Sequence, residues 1–342
     1  MLRRATPLVS LLLGSFLAVS LPAQVENINN PDAKVRKKAI NEVGEKGRKQ
    51  QIDAQTACNA LGTVTRDPAP EVREDVVIAL IKVGSTACLP GLAQMTKDAS
   101  PEIQSLAVDG LVNLYVPDYV EFGWLSSVKS FGKSLKSRFR DPQPIVVQPS
   151  VRVAPEAVDS IVPLISGGSS MESRANAARA AGILRARAAL PELEKALKSR
   201  DETIILEAVR SIEKIGDLKA GTSLVPLLRD PNDKIRQTTA EAVGQLRDAR
   251  AVEDLNMMVR GDKNKDVQRA ALTAMAKIPD NGQDKVFLLY LRDKDDKLRA
   301  AAAEGPGPLG NPSDVKTLQE AFAIEKNESV RLLPSARLAW AT

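Results

Sequence analysis

Residues 230–255, DPNDKIRQTTAEAVGQLRDARAVEDL, decide the fold. Asp230 is a good N-cap, and Pro231 suits the first helical position, where its missing N–H costs nothing. Asp233 then falls in the first turn, where a negative charge complements the helix dipole. From there Ile235, Ala240, Val243 and Leu246 share one helical face, the spacing of a buried stripe. A turn at Arg247–Arg250 follows, and Val252, Leu255 and Val259 begin a second apolar stripe. The stretch predicts two short helices joined by a tight turn.

The same phrase returns. It stands as DPAPEVREDVVIALIKVG from Asp67 and DASPEIQSLAVDGLVNL from Asp98, with weaker copies from Lys263, Asp293 and Asn327. Its aliphatic anchors are Val35, Val72 and Ile103, then Ile204, Ile235, Val267, Leu298 and Val330. Their separations are 37 and 31 in the first group and 31, 32, 31 and 32 in the second. A period of about 31 residues fits one helical hairpin per repeat. A single hairpin cannot bury both its apolar faces, so copies must stack and the ends need caps. The expectation is an all-α protein, an α-solenoid of stacked two-helix repeats. Aromatic residues are only 3% of the chain, which suits thin layers of Ala, Leu, Val and Ile. Small residues such as Ala240 and Ala242 let neighbouring helices approach closely. Arg73, Arg236, Arg299 and Arg331 recur directly after an anchor; each is expected to pair with the turn Asp of an adjacent repeat, and an anion-binding ladder is the other reading. The helix from Glu328, ending with Leu338 and Trp340, is read as the C-terminal cap.

The Asp-x-x-x-x-Val-Arg opening and Ala-rich first helix resemble HEAT repeats of the phycobilisome-lyase-like type, over most of residues 30–115 and 171–342. The resemblance implies a solenoid whose curved surface binds other proteins. Bilin lyases and isomerases share this repeat type, so it also implies a lyase-like enzyme as an alternative, although no residues here point to a bilin-handling site. HEAT-repeat metal hydroxylases need His-Glu ligands, and this chain has no His.

The array is interrupted near 116–154. Seventy residues separate Ile103 from Ser173, which stands one period before Ile204, and two periods would leave a degenerate repeat with a small insertion. Six of the eleven aromatics lie there, at Tyr115, Tyr119, Phe122, Trp124, Phe131 and Phe139, so the segment differs in kind from the repeats. From Phe122 to Arg140 there is no acid, while Lys129, Lys133, Lys136, Arg138 and Arg140 are basic. Wound as a helix, the segment puts Trp124, Leu125, Val128, Phe131, Leu135 and Phe139 in one apolar sector. Lys129, Lys133, Lys136 and Arg140 form a basic sector beside it. Three readings stand: the apolar face packs on the solenoid, docks on a protein partner, or lies on an anionic membrane. PQPIVVQPSVRVAP after Asp141 reads as an extended linker with a short strand at Ile145–Val147, and PEAVDSIVPLISGG as the surviving second helix of the degenerate repeat. The linker also allows two hinged subdomains.

Residues 1–23 read as a secretory signal: Arg3 and Arg4, an apolar run from Leu8 to Val19, then small residues at Ser20 and Ala23. Cleavage is expected after Ala23, or after Ser20, with an uncleaved anchor as the alternative. The domains are then 24–115, 116–154 and 155–342, and the location periplasmic or secreted. Losing Arg3 and Arg4 lowers the net charge from +5 to about +3, too weak a balance to argue for nucleic acid. Without His there is no Ser-His-Asp or Cys-His nucleophile and no His-containing zinc site. Gly167 and Gly168 lack a phosphate-loop ending, so no cofactor and no metal is expected.

Cys58 and Cys88 each close a Thr-Ala-Cys triplet thirty residues apart. An exported compartment permits a disulfide. Helix spacing of about 8–10 Å argues against one, since a disulfide needs Cα atoms within about 7 Å. Both states stay open. The function expected is that of a scaffold or adaptor that binds a protein partner of unknown identity and catalyses nothing. The alternatives are a membrane-surface protein docking through 122–140 and the lyase-like enzyme.

Overall fold

The computed structural model describes residues 25, 27–120, 145–278, 282–305, 320, 323, 325 and 326. Among them every regular element is helical. The signal segment, the candidate contacts Trp124, Leu125, Val128, Lys129, Phe131, Lys133, Leu135 and Lys136, the anchor Val330, Arg331 and the expected C-terminal cap lie outside the described residues.

The helices form two rows. The first helix of each hairpin is α1 (Ala33–Arg48), α3 (Pro70–Val83), α5 (Pro101–Asn113), α7 (Met171–Ile183), α9 (Glu202–Ile215), α10 (Asp233–Gln245), α12 (Lys265–Lys277) and α14 (Asp296–Glu304). The second row holds α2 (Ala54–Gly62), α4 (Leu89–Met95), α6 (Pro155–Gly167), α8 (Leu190–Ala196), two 3-10 turns (Ala220–Ser223 and Val225–Arg229), α11 (Val252–Gly261) and α13 (Asp284–Tyr290). Each first helix packs on the next along the whole row. One apolar core runs between the rows from Ile28 to Ala303.

The anchors explain why. Val72, Ile103, Ile204, Ile235, Val267 and Leu298 are all buried, each entering the core one turn inside its helix. Val35, near the start of α1, is only half-buried. Side-chain caps open most of these helices: Asp32, Ser100, Ser170, Asp201, Asn232, Asn264 and Asp295 each accept a backbone N–H of the first turn. The cap in the 230–255 hairpin is therefore Asn232, two residues later than expected. Asp230 precedes Pro231 and is held extended (ψ 144°), as a residue before proline prefers. Its carboxylate closes the turn by accepting the N–H of Asn232 at 2.8 Å.

Close approach in the first row depends on a register of small residues. Gly44, Gly182 and Gly244 stand nine residues after Val35, Ser173 and Ile235, and each faces a small residue seven after the next anchor. A Cβ on Gly244 would lie 2.7 Å from that of Ala274; on Gly44, 2.8 Å from that of Ala79; on Gly182, 2.7 Å from that of Ser211. All three distances are below contact, so the helices touch backbone to side chain.

Two sequence expectations change here, and the gap between Ile103 and Ser173 is bridged by a direct helix contact. α5 packs directly on α7, with Ser105 and Ser173 hydroxyls 3.2 Å apart and Asn176 Nδ2 donating to the Ser105 carbonyl at 3.2 Å. α6 is the next described helix after α5, and residues 121–144 between them lie outside the described residues. The core also continues across this place, so no boundary between separate cores falls at the linker. Finally, Ile145–Val147 forms no strand; its backbone is tied by one bond, Val147 N–H to the Ile183 carbonyl at 2.7 Å.

Cys58 and Cys88 form a disulfide with Cα atoms 4.8 Å apart. The spacing argument failed because the two are not in equivalent places. Cys58 lies within α2, whereas Cys88 ends the 3-10 turn Thr86–Cys88 that precedes α4. A turn's backbone comes nearer to a neighbouring helix than a second helix axis can. The bond closes a separation of 30 residues between the first two second-row helices. Replacing both cysteines by Ser should cost about 3–4 kcal/mol by the loop-closure estimate. In a stacked array that loss should be local. Hydrogen exchange should show α1 and α2 opening early while α9 to α12 keep their protection, and uniform loss along the chain would contradict it.

Candidate interaction surface

The arginines after the anchors are the most regular charged feature, and the structure places them in the turns. Arg236 donates from Nε and Nη2 to both carboxylate oxygens of Asp262 (2.7 and 3.0 Å), and from Nη1 to the Asp230 carbonyl (2.9 Å). Arg73 does the same with Asp98 and the Asp67 carbonyl, Arg36 with Asp67 and the Asn30 carbonyl, and Arg299 with Glu325 and the Asp293 carbonyl. Each guanidinium thus ties its own turn to the turn of the next repeat through a bidentate fork. Where Gln104 and Gln268 replace Arg, their amides donate to the carbonyls of Thr96 and Asp262 instead (3.0 and 2.6 Å).

The electrostatics follow from that geometry. Burial by itself would raise the pKa of Asp98; the hydrogen bond from Arg73 and the backbone N–H groups of Ser100 and Ala99 outweigh it and hold the carboxyl below its ordinary value. Asp262 is lowered in the same way, with burial opposed by Arg236 and the N–H groups of Asn264 and Lys263. The arginines are raised, first by the hydrogen bond to the carboxylate. A ladder so committed offers its donors to the protein itself, which favours the pairing reading over anion binding.

A second polar feature lies on the first row and had no counterpart in the sequence reading. Asn176 Nδ2 donates to Asp109 Oδ1 (3.1 Å) between α5 and α7. Arg179 Nε and Arg210 Nη1 both reach Glu207 (3.2 and 2.7 Å) between α7 and α9. Ser211 Oγ donates to the Ala178 carbonyl at 2.7 Å. Asp109, Asn176, Glu207 and Ser211 are all at most 3% exposed. Close by, burial raises Glu213 and lowers Lys214. The repeat register carried no signal for them, since the residues equivalent to Asp109 are Ile78, Arg179, Arg210, Glu241 and Thr273.

The face of this row turned away from the second helices is set by register. Residues two and six after an anchor lie about 200° and 240° around the helix from it, opposite the core. They are Glu74 and Ile78, Ser105 and Asp109, Ala175 and Arg179, Leu206 and Arg210, Gln237 and Glu241, and Arg269 and Thr273. Towards the C-terminal end this face is open: Glu241 is exposed, and Gln237, Arg269 and Thr273 are half-exposed. Among the described residues no group of three or more His, Cys, Asp or Glu is placed to hold a metal ion. No described helix is long and apolar enough to cross a membrane.

The HEAT-repeat family matches residues 21–121, 158–233 and 221–305. Among solved structures, the complex of CpcE and CpcF of phycocyanin lyase from Nostoc sp. PCC7120 is similar at 21% identity and TM-score 0.41, over 73% of this chain and 86% of that one. An engineered protein is similar at 18% identity and TM-score 0.40, over 93% and 98%. A designed armadillo repeat protein is similar at 18% and 0.40, over 54% and 100%. No curated protein matches.

The ladder gives a test. Arg236→Met leaves Asp262 buried without its fork and should cost about 2–3 kcal/mol. Because the folded pKa of Asp98 and Asp262 is depressed, their stabilisation is complete above the unfolded value of about 3.9 and is lost as pH falls through the folded value. Thermal melts from pH 6 to pH 2.5 should therefore fall more steeply for the wild type than for an Asp98→Asn, Asp262→Asn variant. Parallel curves would remove the ladder's electrostatic contribution.

Proposed function

Because this chain belongs to the HEAT-repeat family, we propose that it works as an exported scaffold that binds a protein partner and catalyses no reaction of its own. The observation that carries this reading is the unbroken first row. Seven helix-to-helix contacts and a ladder of buried forks fix the outer face before any partner arrives. A preorganised surface avoids the ordering cost that a flexible one meets on binding. The open part of that face, around Glu241 and Arg269, carries charges of both signs and suits a polar protein surface.

Export is supported by two independent features. The N-terminal 23 residues have the charge, apolar run and small-residue pattern of a secretory signal. The Cys58–Cys88 bond is of the kind that persists in oxidising compartments.

The test is capture from the exported fraction with the chain from Gln24 onward, beside a Glu241→Lys, Arg269→Glu variant of unchanged circular dichroism. A partner retained by the first and lost by the second is the expected result. Retention by both moves recognition off this face. Retention by neither, with binding to anionic vesicles instead, replaces the scaffold reading with a membrane-surface one.

A further inference from the structure

The devices that lock one repeat on the next do not occur at every junction. Forks join the turns of α1 and α3, of α3 and α5, and of α10 and α12. α5 and α7 are joined through Gln104 Oε1, which accepts the Ser169 N–H at 2.9 Å, and through Asn176 and Asp109. α7 and α9 share Glu207 and the close approach at Gly182. Beside α12 and α14, Tyr290 Oη of α13 donates to the Val259 carbonyl of α11 at 2.7 Å. α9 packs on α10, but among the described residues neither a fork nor a glycine contact joins them.

The register shows what is missing. The fork acceptors Asp67, Asp98 and Asp262 stand five residues before an anchor, and their arginines stand one residue after the preceding anchor. Asp230 keeps the acceptor's place before Ile235, yet the donor's place after Ile204 holds Ile205, which is 7% exposed. Nine residues after Ile204, where Gly44, Gly182 and Gly244 stand in other helices, is Glu213. It is half-buried, and burial raises its pKa. The second row changes at the same place. α9 is followed by the 3-10 turns Ala220–Ser223 and Val225–Arg229 instead of an α-helix, and hydrogen bonds of that kind have poorer geometry. Two arginines do cross here: Arg229 Nε reaches Asp254 at 2.6 Å, and Arg250 Nη2 reaches the Leu218 carbonyl at 3.0 Å. Their side chains are 70% and 51% exposed, and exposed bonds of this kind add little stability.

We propose that the junction between α9 and α10 is the hinge of the array. The helices up to α9 form one body, those from α10 to α14 form another, and the angle between them changes about the turns of residues 216–232. The open face of α10 and α12 lies inside the second body, so its spacing is kept as the hinge moves. A partner touching both bodies selects one angle by its differential affinity, and that consequence alone rests on the scaffold reading.

Cys58 and Cys88 are bonded to each other, so spin labels attach only to introduced cysteines. In the full chain, Lys198→Cys with Lys285→Cys spans the hinge. Asn59→Cys with Lys198→Cys and Met257→Cys with Lys285→Cys are reference pairs inside each body, all at exposed positions. Pulsed electron resonance should give a distance distribution about two-fold wider across the hinge than within either body. Ile205→Arg, which completes a fork with Asp230, should narrow it to the reference width while the helical circular-dichroism signal stays. Glu213→Ala, which gives α9 the small residue that α12 has at Ala276, should narrow it as well. A spanning distribution no wider than the reference pairs, or a width that neither substitution changes, would overturn the proposal. No partner enters these measurements, so their failure is separate from failure of the scaffold reading.

Discussion

Each hairpin of this protein has two helices and more apolar surface than they can hide from each other. A fully buried aliphatic side chain is worth about 1.5–3 kcal/mol, so a hairpin standing alone would leave several such gains unrealised. Stacking is what realises them, and most other features serve it. The glycines at 44, 182 and 244 let first helices close to contact distance. Val35, in the first described helix of the row, is half-buried where the later described anchors are covered.

Stacking by apolar burial does not fix the rotation of one repeat on the next, because such packing has little direction. The arginine forks supply that direction. A planar guanidinium bound to both oxygens of a carboxylate and to a carbonyl of its own turn holds two turns in one relative orientation. Removing these charges from water has a cost, and similar buried pairs often add little net stability over a well-packed apolar substitute. Their regular recurrence at Arg36, Arg73, Arg236 and Arg299 is therefore better understood as setting the register between repeats. Where the fork is absent, between α5 and α9, the contact from Asn176 to Asp109 and the pair of arginines on Glu207 occupy the same row junctions.

The repeat architecture was legible because its signal is redundant. Anchors such as Ile235, Val267 and Leu298 keep phase to within a residue, and an arginine follows two of them. Less was legible wherever three-dimensional proximity departs from sequence equivalence. Cys58 and Cys88 look equivalent by spacing, yet one lies in a helix and the other in a turn, and that difference brings them within bonding distance. The two-period gap before Ser173 gives no hint in sequence that α5 and α7 are packed neighbours, which the contact of Ser105 with Ser173 shows. The polar junctions at Asp109 and Glu207 gave no motif, because a buried acid is recognised by its burial and not by its neighbours in sequence.

These points bear on where function can sit. In a repeat protein most charged residues are expected to face solvent, yet here many are used between repeats. The ladder occupies the turns, and the Asp109 and Glu207 contacts occupy the first-row junctions near the middle of the array. Charges remain open elsewhere, and among the described residues that open surface includes the outer face of α10 and α12, where the proposed recognition is placed. Such a division has a physical advantage for a scaffold. The junctions around α5, α7 and α9 are held by polar contacts that a partner need not disturb, while α10 and α12 present Glu241 and Arg269 on adjacent helices whose spacing is fixed by the backbone contact at Gly244. A partner meeting that face would meet a fixed charge pattern, and the selectivity of the surface would come from that fixed spacing.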